Sequence, residues 1–203
     1  MTTVIVSYDG TDNDRDALAL GRVLAGAGAS LELAYVSHHH EPEPDSPTDV
    51  PFHVVDNPST ADGLRELALA RGAEVIAFGS EYRTAPGHVD PQATARRLIE
   101  GGPVALALAP AGFAANGRGV RTVAAVSEDG DPCARETAEM LAAALGAELA
   151  ERAGRDTDLL VLGSKPGTVN GRVTISAAAE YLLELAECPV LVLPRGIGLR
   201  FDR

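Results

Sequence analysis

Thr3-Val4-Ile5-Val6-Ser7-Tyr8-Asp9-Gly10 opens the chain, and Thr122-Val123-Ala124-Ala125-Val126-Ser127-Glu128-Asp129-Gly130 restates it. A β-branched apolar run closed by Asp-Gly reads as a buried parallel strand ending in a turn. Two further segments recur in the same order. Ala73-Glu74-Val75-Ile76-Ala77-Phe78-Gly79-Ser80 is matched by Thr157-Asp158-Leu159-Leu160-Val161-Leu162-Gly163-Ser164, and Gly102-Pro103-Val104-Ala105-Leu106 by Cys188-Pro189-Val190-Leu191-Val192. Three ordered matches point to a tandem duplication.

The segments between these marks alternate in period. Asp12, Asn13 or Asp14 is expected to cap a helix that turns Ala17, Leu20 and Leu24 inward. Strands are predicted at 31–36, 52–55, 74–78 and 103–108, and helices at 61–71 and 91–100. Residues 37–51, with His38-His39-His40 and several prolines, read as an exposed loop. This order predicts an α/β fold with an open parallel sheet of Rossmann-like kind. Small residues at 113–119 are expected to link a first domain, 1–112, to a second, 120–203. Asp-Gly to Gly-Ser spans 9 to 79 in the first copy but only 129 to 163 in the second. The second is therefore predicted to be truncated, with a helix at 132–145, a short helix-like stretch at 147–155 and roughly three strands, leaning on the first for stability.

Composition excludes several function classes. Of 203 residues 29 are acidic and 17 basic, a net charge of −12, and Lys165 is the only lysine. Nucleic acid and anionic membranes need clustered cations, so neither is an expected partner. Two cysteines rule out a disulfide framework and a Cys-rich zinc site. The absence of a long apolar run or a leader-like N-terminus predicts a cytoplasmic protein.

The Asp-Gly strands, the Gly-Ser strands and the terminal Pro-Val strands together resemble the universal stress protein A family over nearly the whole chain. The resemblance implies a fold like that of adenine nucleotide alpha hydrolases, in two tandem units paired as a pseudo-dimer through their last strands. Val104–Leu108 and Val190–Leu193 are the edges expected to pair, and a homodimer through such edges stays open. In ATP-binding members the phosphates lie on a loop patterned Gly-two-Gly-nine-Gly-Ser/Thr, where backbone amides and a helix N-terminus meet the anion. Mapped onto this chain, the resemblance nominates Asp9, Val36, Gly79, Ser80, Asp129, Gly163, Ser164, Gly167 and Ser176 as nucleotide contacts, with Val36 beside the adenine. From the residues alone, Asp9 and Asp129 read first as turn or helix-capping aspartates.

The pattern is damaged in both copies. Pro166 stands where the second glycine belongs, and Ser176-Ala177 where Gly-Ser belongs. Counting back from Pro103 puts Asp90-Pro91 at that position in the first copy, with Glu81 after Gly79-Ser80. Carboxylates beside a triphosphate cost on the order of 1–4 kcal/mol per pair. The expectation is thus a degenerate pocket in a stress-response regulatory or interaction protein. The alternative is a protein that binds ATP or another adenine nucleotide through an altered loop.

No nucleophile–base constellation stands out, so no enzymatic activity is expected. The histidine loop, with His53 or His88 as helpers, reads as solvated rather than as a metal site. Cys133 begins a helix but reads as an inert thiol, Cys188 as buried, and Glu180-Tyr181 as amphipathic packing.

Overall fold

The computed structural model describes residues 1–38, 43–45, 49–117, 119–128 and 130–201. Its first half runs β1 (Thr3–Ser7), α1 (Asp12–Gly26), β2 (Ser30–Ser37), β3 (Phe52–Asp56), α2 (Thr60–Arg71), β4 (Val75–Phe78), α3 (Ala93–Ile99) and β5 (Ala105–Leu108). A short helix, α4 (Phe113–Asn116), follows. The second half runs β6 (Thr122–Val126), α5 (Cys133–Leu145), β7 (Glu148–Leu149), β8 (Leu159–Leu162), α6 (Ala177–Glu184) and β9 (Val190–Val192).

The nine strands among the described residues join one sheet in the order β3-β2-β1-β4-β5-β9-β8-β6-β7. Every neighbouring pair is parallel except β5 and β9, which meet antiparallel with Leu106 opposite Val192, Ala107 opposite Leu191 and Leu108 opposite Val190. Strands buried on both faces need apolar residues at every position, which is why they read as unbroken runs. Val4, Val6, Val75, Val161 and Leu191 point to one face, under α1, α4 and α5. Ile5, Ile76, Phe78, Leu160 and Val190 point to the other, under α2, α3 and α6.

Several sequence expectations need correction. Thr11, not an aspartate, is the N-cap of α1, and Asp14 reaches back to accept from the Thr11 amide at 3.0 Å. The 113–119 stretch is not a free tether: α4 is docked by Asp16, whose carboxylate accepts from the amides of Gly112 and Ala114, both at 2.8 Å. Residues 147–155 form no helix. They hold β7, which pairs with β6 at Thr122 and Val123, so the second half has four strands and lacks counterparts of β3 and α2.

The halves repeat their contacts at a fixed offset of 84 (80 to 164, 88 to 172, 109 to 193). Ser80 Oγ donates to the Ala109 carbonyl at 2.7 Å and accepts from the Asp90 amide at 3.2 Å. Ser164 Oγ donates to the Leu193 carbonyl at 2.7 Å and accepts from the Thr174 amide at 3.1 Å. Two backbone bonds that cross between the halves beside the β5–β9 ladder are reciprocal: the Val89 amide donates to the Ala186 carbonyl, and the Val173 amide to that of Gly102. Thr84 and Thr168, buried hydroxyls without a partner among the described residues, also stand 84 apart. This offset pairs Pro189 with Ala105, not with Pro103. The two loops are therefore equal in length, and the counterpart of Ser176 is Gln92, the N-cap of α3, rather than Asp90.

Candidate functional site

In open α/β sheets ligands gather at the carboxyl ends of the strands, where loops meet helix N-termini. In the second half that end collects Glu128 after β6, Gly163 and Ser164 after β8, Arg195 after β9, and Ser176 at the start of α6. Ser176 is a working cap: its Oγ accepts from the Ala179 amide at 3.1 Å. The same hydroxyl donates to the Glu128 carboxylate. A side-chain anion of the chain thus sits at the N-terminus of α6, where the helix dipole favours negative charge.

Arg195 closes the network. Its Nη1 lies 3.3 Å from the Glu128 carbonyl and 3.4 Å from that of Ser164, and its Nε lies 3.6 Å from Asp131. Asp131 is buried and accepts from the amides of Gly196 at 2.9 Å and Cys133 at 3.1 Å. Burial pushes its carboxyl up, but those hydrogen bonds and Arg195 outweigh it and hold the group below the usual carboxylate range. Burial first, then the neighbouring Asp131, pushes the Cys133 thiol up to about 11, so the helix N-terminus leaves it unreactive. Burial likewise raises Cys188 to about 12.

The first half is arranged differently. Asp9 is exposed at the end of β1, and its amide donates to Asp14 Oδ2 at 2.7 Å. Asp14 is only 5% exposed, and burial followed by the nearness of Asp9 raises it to about 7. Asp9 is pushed up by burial too, but hydrogen bonds from Asp14 and Thr11 prevail and lower it. The pair holds one proton between two carboxyl groups into the neutral range. Pro44 presses on Gly10, where a Cβ would stand 2.8 Å from the proline ring, and the Tyr8 hydroxyl donates to the Asp45 carbonyl at 3.2 Å. Pro44 and Asp45 of the 37–51 loop therefore touch this end of β1, while Glu43, Asp45 and Asp49 are exposed, as the sequence predicts.

The structure places the other nominated residues as follows. Gly79 admits the first turn of α1, since a Cβ there would come within 2.1 Å of the Asn13 carbonyl oxygen. Gly163 has no such constraint, its nearest neighbour being Ala134 at 3.6 Å. Ser80 and Ser164 spend their hydroxyls on the clasps described above. Val36 is buried against Gly63 of α2. Gly167 takes a left-handed turn with φ of +80° in open space. Asp129 lies outside the described residues, as do His39 and His40; His38 pairs with the Thr60 hydroxyl at 2.9 Å. His53 is engaged by Glu32 at 2.8 Å, and Glu32 also takes Arg71 at 2.8 Å. Glu81 donates its amide to the Asp90 carbonyl, and the Asp90 carboxylate is neutralised by Arg96 at 2.6 Å.

Cavities among the described residues lie elsewhere. One of about 640 Å³ runs between α3 and α6, bordered by Arg83, His88, Arg96, Glu100, Glu180 and Glu184 among others. The second, about 510 Å³, lies beside the end of α6, against Phe113, Val120, Leu160, Leu182, Leu185 and Cys188. None of the described nucleotide candidates borders either one. Sequence reasoning missed Glu128 as the partner of Ser176, and Arg195, which reaches the Ser164 carbonyl and pairs with Asp131. The one available signal was an arginine directly after the Leu193-Pro194 end of the last strand.

No family model matches the chain, and no curated protein matches it. Solved structures do. A universal stress protein from Archaeoglobus fulgidus DSM 4304 is similar with a TM-score of 0.67 at 12% identity, over 96% of this chain and 98% of its own. A functionally unknown protein from Pseudomonas aeruginosa PAO1 is similar with a TM-score of 0.64 at 15% identity, over 96% and 92%. The chain shares its fold with universal stress proteins. No helix among the described residues is long and apolar enough to cross a membrane.

Proposed function

We propose that the chain is a universal stress family protein of two tandem units, 1–112 and 120–203, paired through β5 and β9 as an intramolecular pseudo-dimer. Its nucleotide pocket is degenerate, and it serves in the cytoplasm as a regulatory or protein-interaction module rather than as an enzyme. The 84-residue offset of the serine clasps and the likeness of fold support the first statement. The observation that carries the second is the Glu128 carboxylate on Ser176 at the start of α6. A phosphate brought there meets a fixed negative charge at a cost on the order of 1–4 kcal/mol. The chain's own anion already holds the place that a ligand's anion would take.

Calorimetric titration with ATP and Mg²⁺ tests this reading. The protein as purified should be free of nucleotide and give no binding heat, and Glu128→Gln, which keeps the hydrogen bond to Ser176 and removes the charge, should raise affinity for ATP. Micromolar binding by the unaltered protein, lost on Gly163→Val or Asp9→Ala, would overturn it in favour of an adenine-nucleotide binder.

A further inference from the structure

The 640 Å³ cavity lies between the two halves, and its walls repeat at the offset of 84. Ile99 of α3 and Leu183 of α6 hold matching places, and both are buried, as is Val89 beside them. Glu100 and Glu184 match in turn and stand exposed above this apolar floor. One turn earlier in each helix the match breaks in charge, with Arg96 on α3 and Glu180 on α6. Loop 83–91 completes the first-half wall with Arg83 and His88. That loop is fastened: the Gly87 amide donates to the Ala111 carbonyl at 2.8 Å, and the Val89 amide to Ala186, just past α6, at 3.2 Å. The outer flanks of the two helices differ as well. Arg97 reaches Asp62 of α2 at 3.4 Å, whereas Tyr181, in the matching place on α6, is 60% exposed.

Most charges around the cavity are unspent. Arg96 donates to the Asp90 carboxylate at 2.6 Å and to the Pro91 carbonyl at 3.0 Å. Arg83 lies over the Tyr82 ring at 4.9 Å. Among the described residues Arg83 meets no carboxylate, and Glu100, Glu180 and Glu184 meet no cation. Scattered surface charges are simply solvated, but these share one cavity with buried apolar side chains, the composition of a small-molecule site. No group of acidic or histidine side chains among the described residues could hold a metal ion. The carboxylates are instead spread along two helices and suit cationic groups spread along one molecule. Three free carboxylates against one free guanidinium call for a ligand with more cationic groups than anionic ones.

We infer that this cavity binds an amphoteric ligand with two cationic groups, one carboxylate and an aliphatic stem, the chemistry of a basic amino acid or a short basic peptide. The planar fork of Arg83 takes the carboxylate. Glu184 lies near the end of α6 that is tied to the basic loop, and Glu180 a turn further away, so the acidic groups extend from that loop as the ligand's cationic groups extend from its carboxylate. The stem lies on Ile99 and Leu183. The inference goes beyond the degenerate nucleotide pocket and does not rest on it, since none of the described nucleotide candidates borders this cavity.

Titration of the isotope-labelled full chain with L-lysine, followed by amide chemical shifts, tests it. Saturable shifts centred on 83–91, 96–100 and 174–184 are expected, with a dissociation constant on the order of 0.1–1 mM. Cadaverine, which is lysine without its carboxylate, and norleucine, which lacks the side-chain ammonium, should each bind at least about fivefold more weakly. The double variant Glu180→Gln, Glu184→Gln should weaken lysine binding about tenfold. Arg83→Gln should weaken lysine binding and leave that of cadaverine unchanged. Glu139→Gln, at an exposed carboxylate of α5 paired with Arg135, should leave lysine binding unchanged. These side chains are exposed, so each variant should keep its melting temperature. The dipeptide Lys-Lys chooses between the sources: affinity about tenfold tighter than that of lysine assigns a basic peptide, and equal or weaker affinity the free amino acid. Absence of saturable shifts, cadaverine binding as tightly as lysine, or a loss on Glu139→Gln equal to that of the double variant overturns the proposal. ATP binding by the protein would defeat the pocket reading without altering these outcomes.

Discussion

The flanks of α3 and α6 occupy matching places, yet one is covered and the other bare. The strands beneath them are equally buried: Ile76 and Leu106 are fully enclosed in the first half, and Leu162 and Val192 in the second. What differs is the outer layer. The second half has nothing in the place of β3 and α2, yet the sheet runs on unbroken, because β5 and β9 join the four-strand half to the whole. A half of that size buries enough surface only as part of the larger sheet.

The largest expected effect tests that shared sheet. Leu191 is buried opposite Ala107 at the junction, and Leu191→Ala should cost about 2–5 kcal/mol while unfolding stays a single transition in urea. Two separate transitions, with only one of them shifted, would show the halves to be independent bodies. A smaller contrast lies in the paired glycines. Gly79→Ala forces a Cβ against the Asn13 carbonyl and should destabilise by about 1–3 kcal/mol, whereas Gly163→Ala should stay within about 0.5 kcal/mol. Equal losses in denaturant melts would mean that the two loops are under the same constraint. The smallest effect concerns the flanks. Arg97→Ala removes a largely exposed ion pair worth about 0.2–1 kcal/mol, while Tyr181→Ala removes a side chain with nothing docked on it and should be near neutral. A Tyr181→Ala loss larger than that of Arg97→Ala would show that the tyrosine already packs on its own chain.

Much of this layout was legible in the sequence because the interior of a buried parallel strand must be apolar, and 4–6, 75–78, 123–126 and 159–162 are. The register of the last strands was not. Pro103 and Pro189 invite superposition, but the alignment is set by the Ser80 and Ser164 hydroxyls finding carbonyls 29 residues downstream, a pairing that leaves no trace in periodicity. Strand β7 escaped notice because two residues carry no alternation. At the candidate site, Ser176 was nominated for a phosphate, while the residue that occupies it, Glu128, reads locally as the polar end of a strand. Only the fold brings 128 and 176 together.

The junction also has a cost in time. β5 ends at Leu108, and its pairing partner is complete only at Val192. During synthesis at about 5–20 residues per second, the first half waits roughly 4–17 seconds with an apolar strand edge unpaired. That interval is when a chaperone, or a neighbouring nascent chain, competes with β9 for the same backbone.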